Sequence, residues 1–368
     1  MALQRFLLLL ALLPYFASGQ GFGLGLNPSN MRWNQINTDK VQVIFPVGLE
    51  EHAQRAANII HLLDDEKPYY LDTLSEKVSV IIQNQTTVSN GFVTVGPFRT
   101  EFFTTPPQFG FFGQAEWWDL LTIHEYRHVQ QFSNAKQGIT KLGSVLFGQN
   151  GWGGFAVVAI PRWFLEGDAV FMETAMTNAG RGVTPDHDKL YRSLMLSDRF
   201  YGYEKASATS IKDFVPNHYS LGYYMVTHIR KQYGAEALNE AAKDAVKYKG
   251  IFYPLSQGFK RHTGKRPREL YRETFETLTE EWKAEAEQLE LTPSRQINTQ
   301  KKIGPTNYRI PVFLDENTLI VEKRGFRDIR TFVMIDRQTG KEKVITRPGL
   351  YTDDNSHLSI QGNKLAWA

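Results

Sequence analysis

Two histidines and a glutamate stand in the stretch His124-Glu125-Tyr126-Arg127-His128, with the histidines four residues apart. On a helix, positions i and i+4 lie one above the other on the same face, so two imidazoles at this spacing can grip one ion. A glutamate directly after the first histidine projects beside that ion, where its carboxylate can take a proton from an attacking water. The pattern points to zinc held by His124 and His128, with Glu125 as general base. A catalytic zinc also needs a third protein ligand and an open position. A further acid, Glu166, follows His128 by 38 residues. There is no cysteine in the sequence, which excludes thiolate zinc sites, cysteine nucleophiles and disulfides, so any metal must be held by histidine and carboxylate.

These residues need rigid elements around them. Trp118, Leu121, His124, Glu125, His128, Val129 and Phe132 recur at three- and four-residue steps, which predicts a helix over about 115–133. Both histidines then face an interior cleft, and Arg127 is expected to point outward. A Gly-rich loop at 148–154 leads to a second helix over about 161–176, with Pro161 in its first turn. Upstream, Val41 to Phe45, Val78 to Ile82 and a strand or hairpin from Gly91 to Thr105 are β-rich, and a helix from Glu50 to Leu63 places Ala53, Ala56, Ala57, Ile60 and Leu63 on one face. Downstream helices are expected from His218 to Tyr233, closed by Gly234, from Ala235 to Tyr248, and from Arg268 to Leu289.

The pair HEYRHVQQF and PRWFLEGDAVFMET resembles the two motif helices of the gluzincin metallopeptidases, the thermolysin-like clan. Trp163, Glu166, Gly167, Ala169 and Glu173 fit the aminopeptidase-type pattern W-x-x-E-G-x-A-x-x-x-E. The resemblance implies Glu166 as third zinc ligand, while Glu173 is read either as support for a ligand histidine or as an exposed acid. Tyr219 opens Tyr-Ser-Leu-Gly, similar to the Tyr-x-x-Gly of gluzincin aminopeptidases, which implies a hydroxyl that stabilises charge on the scissile carbonyl; His218, Tyr223 and Tyr224 compete for that role. It also implies that the strand before the zinc helix holds substrate backbone by strand addition. The Gly-x-Met-Glu-Asn signature that captures a free amino terminus is absent, so aminopeptidase specificity is not implied.

Composition sets the limits. Apolar residues make up 42% of 368 and aromatics 13%, enough for a sizeable core. A formal charge of +3, with both signs interspersed, gives no nucleic-acid face. Residues 1–19 read as a signal peptide, with Arg5, the apolar run Phe6 to Leu13 and Ala17-Ser18-Gly19, so the protein is expected to be exported, with no membrane span after cleavage. A zinc metallopeptidase domain is expected over 20–292 and a linker over 293–306. From 307 to 368 the composition is all-β, with a turn at Asp336-Arg337-Gln338-Thr339-Gly340, and resembles blades of TolB-type β-propellers. A propeller needs about 4–8 blades, so this segment is expected to be incomplete and to offer a surface for a protein partner. The expected fold class is α+β: a small mixed sheet plus a helical gluzincin peptidase domain, then a truncated propeller. The expected activity is zinc-dependent endopeptidase action on peptide or protein substrates. A non-catalytic peptidase-like scaffold and a zinc hydrolase of non-peptide amides or esters are the competing readings.

Overall fold

A computed structural model describes residues 27–67, 75–107, 114–298, 306–348 and 358–367. The expected signal peptide at 1–19, and residues 299–305 of the expected linker, lie outside these. The fold is α+β, and the chain divides into two compact units, 1–203 with 218–279, and 204–217 with 280–368.

The first unit is built on a five-stranded sheet in the order β1-β2-β3-β5-β4, from β1 (Trp33–Asn37), β2 (Val41–Pro46), β3 (Val78–Gln83), β4 (Gly91–Val95) and β5 (Phe98–Phe103). The three central strands run parallel, and the edge strands β1 and β4 run antiparallel to their neighbours. Val41 and Val43 of β2 and Val78, Val80 and Ile82 of β3 alternate with half-exposed residues, so one face of the sheet is buried, as period-two patterning requires. Helix α1 (Glu50–Glu66) lays the expected stripe of Ala53, Ala56, Ala57, Ile60 and Leu63 into this core, and α2 (Trp117–Ala135) adds Trp118, Leu121, Tyr126 and Val129. The β-rich stretch from Gly91 resolves into the β4–β5 hairpin.

Further helices follow along the chain. The segment 148–154 is not a loop: it belongs to α3 (Gly138–Ala159), a helix broken only at Gly148, where φ is 64° and ψ −152°. Its glycines allow helix to pack on helix, because a Cβ on Gly151 would stand 2.2 Å from the Gly143 carbonyl oxygen. Glycine read as a breaker of local structure therefore serves here as a close-packing surface. Helix α4 (Arg162–Thr177) follows Pro161, and α5 (Pro185–Leu196) is a helix the hydrophobic pattern did not reveal. Helix α6 (His218–Val246) is two helices joined at Gly234, whose φ of 84° and ψ of 159° end the first one where the sequence placed its stop. Helices α7 (Pro254–Thr263), also unanticipated, and α8 (Pro267–Gln288) come last, and a six-residue helix, Tyr203–Ala208, precedes α6.

In the second unit, β6 (Thr306–Phe313), β7 (Thr318–Gly325), β8 (Asp328–Asp336) and β9 (Glu342–Thr346) form an antiparallel meander around Leu319, Val321, Val333 and Ile335. The Asp336–Gly340 turn is tied by the Asp336 carboxylate, which accepts from the backbone N–H of Gln338 at 3.0 Å and of Thr339 at 2.7 Å. A separate hairpin pairs β10 (Leu358–Gln361) with β11 (Lys364–Trp367). The described residues contain no closed barrel or propeller, and none of their helices is long and apolar enough to cross a membrane.

Candidate metal centre

Helix α2 is buried on every side from Leu120 to Gln131, which takes His124, Glu125 and His128 out of bulk water. Its amino end is fixed by Glu116, whose side chain accepts from Asp119 N–H, and by Trp118, whose indole donates to His52 O at 2.9 Å. Helix α4 presents Glu166 from its first turns. Glu166 Oε2 stands 3.5 Å from His124 Nε2 and 3.4 Å from His128 Nε2. The three donor atoms lie within 4.8 Å of one another.

These spacings fit a zinc ion. Tetrahedral ligands at bond lengths of about 2.0–2.2 Å stand about 3.4 Å apart. Two imidazoles and one carboxylate are also a donor set zinc accepts. Glu166 Oε2 is buried and has no hydrogen-bond partner, a cost that a cation between these groups would remove. The local field points the same way. Burial and the nearby Arg181 both oppose charge on His124, yet the Glu166 and Glu173 carboxylates outweigh them and push its pKa up to about 9. Burial likewise opposes charge on His128, and Glu166 still raises its pKa. Glu166 is held well below the usual carboxylate range, because the imidazoles outweigh its own burial. The centre therefore favours positive charge although it is largely dry.

Each imidazole is held from behind. His124 Nδ1–H donates to Glu173 Oε2 at 2.8 Å, and Arg181 bridges the same carboxylate from Nε at 2.7 Å and Nη2 at 2.8 Å. Glu173 is fully buried and ionised, so it is not an exposed acid but a partner of His124. His128 Nδ1–H donates to Gln131 Oε1 at 2.8 Å. The amide nitrogen of Gln131 donates to Leu165 O at 3.0 Å and to Asp168 Oδ2 at 2.9 Å, so both its hydrogens are used and its oxygen must face the imidazole. Both histidines are thus engaged from behind at Nδ1 and turn Nε2 toward Glu166.

Arg127 does not point outward. Its side chain is 1% exposed and pairs with Asp168 through Nε at 2.7 Å and Nη2 at 3.2 Å. Asp168 also accepts from Arg230 of α6 at 2.7 Å. The periodicity gives no reason to bury a guanidinium, because the partner that makes burial tolerable comes from another helix. Gln131, Asp168, Arg181 and Arg230 were not singled out by sequence. The usable signals were Gln131 one turn after His128 and Asp168 two residues after Glu166.

Two glycines bring the third helix in. A Cβ on Gly167 would stand 2.1 Å from the Gly222 carbonyl carbon, and one on Gly222 would stand 1.8 Å from Trp163 O, so α4 and α6 touch backbone to backbone. This contact sets the Tyr219 ring 6.4 Å from the His124 ring, with the Arg181 guanidinium 4.9 Å from the Tyr219 ring centre. Burial raises the Tyr219 pKa, so the phenol stays protonated and can donate. Of its competitors, His218 packs on Tyr219 at 4.6 Å. Tyr223 lies against Gly182, and Tyr224 donates to Asp188 at 3.1 Å, which leaves Tyr219 and His218 as the two at the centre. Edge strand β4 closes the other side: a Cβ on Gly91 would meet Glu125 Cγ at 3.0 Å. Glu125 itself is buried, its Oε2 has no hydrogen-bond partner, and burial raises its pKa. Neither protein-family models nor curated proteins give a match to this chain.

Proposed function

We propose that this chain is a zinc-dependent peptidase of the gluzincin type, and that His124, His128 and Glu166 hold the metal. The observation that carries this reading is the approach of Glu166 Oε2 to both Nε2 atoms at 3.5 and 3.4 Å, with Glu125 buried beside them. A bound zinc supplies a Lewis acid that polarises the scissile carbonyl and makes a water molecule a good nucleophile near neutral pH.

The protein's own groups do the rest. Glu125 takes the proton of the attacking water and delivers it to the leaving amine nitrogen, for which a carboxylate in a dry site is suited. Tyr219 directs its hydroxyl toward the carbonyl oxygen as negative charge builds there. Glu173 and Gln131 keep the two imidazoles in one tautomer and one orientation. Strand β4, at the edge of the sheet among the described residues and beside Glu125, would receive an extended peptide by strand addition. We read residues 1–19 as an export signal and the β6–β9 meander as one blade of a propeller that binds a protein partner.

The test is zinc content together with digestion of a peptide library. About one zinc per chain is expected, retained in Glu125→Gln while cleavage falls by at least about a thousandfold. Retained turnover in Glu125→Gln removes it as base. A zinc-replete chain that cleaves no peptide would favour the scaffold, or a hydrolase of non-peptide amides and esters.

A further inference from the structure

Helix α3 carries an apolar surface that the metal centre does not use. Its two legs, residues 138–147 and 149–159, close on each other through Gly143 and Gly151, and Gly143 also lies against Phe155, 2.4 Å from ring to added Cβ. Close packing through glycine keeps the backbone hydrogen bonds inside each leg and turns the larger side chains outward. Leu142, Val145, Leu146, Phe147, Val157 and Val158 are all exposed, Val145 at 75% and Val158 at 72%. Single apolar side chains on a surface need no explanation, but a set this dense on one short hairpin marks an interaction surface.

Charge indicates the partner. Residues 138–161 contain no Asp or Glu, and their one charged side chain, Lys141, is exposed. The segment 246–249 lies across both legs: the Thr140 hydroxyl donates to Val246 O at 2.8 Å and the Tyr248 hydroxyl to Phe155 O at 2.7 Å. That segment sets Lys247 against Gly138, and beyond it Ile251, Phe252 and Tyr253 are exposed, Phe252 at 78%. The nearby acids are already matched, Asp244 by Lys249 at 2.5 Å and Arg261 at 2.7 Å, and Glu240 by Lys243 at 3.0 Å. An apolar helical face with aromatic residues and lysines at its margin suits the headgroup layer of an anionic bilayer. Each leg is about half the roughly 20 residues a span requires, so the hairpin can enter the interface but not cross it.

We propose that the α3 hairpin, with Lys141 on it and Lys247 at its margin, seats this unit on an anionic phospholipid surface. The hairpin is also fixed to the β4–β5 hairpin, where Phe98 N–H donates to Gln149 Oε1 at 3.2 Å and the Phe98 and Trp152 rings lie 4.7 Å apart. Seating α3 would hold edge strand β4 near the lipid, and, on the peptidase reading above, the substrates would be polypeptide segments presented at a membrane surface.

Vesicle flotation tests the seat without reference to catalysis, using phosphatidylglycerol mixed with phosphatidylcholine, and phosphatidylcholine alone, before and after metal chelation. The chain should float with the anionic vesicles only, less so as salt rises, and Phe147→Trp emission should shift to the blue on binding. The doubles Phe147→Ser/Val158→Ser, at exposed sites, and Lys141→Glu/Lys247→Glu, at an exposed and a half-buried lysine, should each weaken binding at least about tenfold, with unchanged thermal unfolding showing that both are folded. Absence of vesicle binding, binding that ignores lipid charge, or full binding by both doubles would overturn the proposal. So would a dimer that Phe147→Ser/Val158→Ser converts to monomer without any vesicle binding, since a second copy would then cover the face. A chain that floats but cleaves nothing leaves the seat standing and overturns only the peptidase reading.

Discussion

His124 and His128 sit one turn apart on the same helix, yet what stands behind them differs in charge. Behind His124 an ionised carboxylate, Glu173, touches the imidazole directly and is pinned by Arg181. Behind His128 a neutral amide, Gln131, makes the contact, and the charge lies one residue further back in Asp168, between Arg127 and Arg230. A carboxylate raises the basicity of the ligand it touches, whereas an amide mainly fixes the tautomer and the ring plane. His124 is thereby tuned and His128 oriented. The Asp168 cluster has a second task, since it ties α2, α4 and α6 together beside the His124–His128–Glu166 group.

The sharpest way to break this arrangement is Asp168→Ala, which strands Arg127 in the interior. A loss of about 3–5 kcal/mol is expected, read by chemical denaturation. Replacing Arg127 together with Asp168 by apolar residues should restore part of it; no restoration would show that Arg230 carries the cost. Glu173→Gln comes next. It keeps the shape but removes the charge behind His124, and zinc affinity, measured by chelator competition, should fall about 10–100-fold. On the proposed zinc reading, Gln131→Leu leaves His128 able to coordinate but loosely oriented, so a smaller fall of about tenfold is expected. If Gln131→Leu weakens zinc more than Glu173→Gln does, the division into tuning and orienting fails.

A carboxylate outside the His124–His128–Glu166 group gives the mildest contrast. Burial works against charge on Asp244, but hydrogen bonds from Lys249, Arg261 and His262 prevail and hold its pKa down to about 2, from an ordinary 3.8. A depressed carboxylate stabilises the fold above its unfolded-state pKa, and that contribution fades as pH falls from about 4 to about 2. Because Lys249 and Arg261 are well exposed, Asp244→Asn should cost only ~1 kcal/mol at neutral pH. The gap to the parent protein should close near pH 2, and a gap independent of pH would assign the effect to packing instead.

Much of the scaffold was readable from periodicity. The α1 stripe, the α2 helix, the stop at Gly234 and strands β2 and β3 each follow a repeat that one element states by itself. Helices α5 and α7 escaped because they are short, and the glycines of α3 suggested a loop because a glycine's packing partner is invisible from its neighbours in sequence. Arg127 was misplaced for the same reason, its partners being 41 residues away on α4 and on a further helix, α6.

The sequence by itself determined that two imidazoles share one helical face with a carboxylate beside them, because helical geometry makes i and i+4 neighbours whatever surrounds them. The tertiary structure decided that Glu166 reaches both imidazoles, that the two rings are held by groups of different charge, and that Arg127 turns inward. Those outcomes depend on how closely α2, α4 and α6 approach, and the glycine contacts and buried ion pairs that set the approach form only when the helices meet.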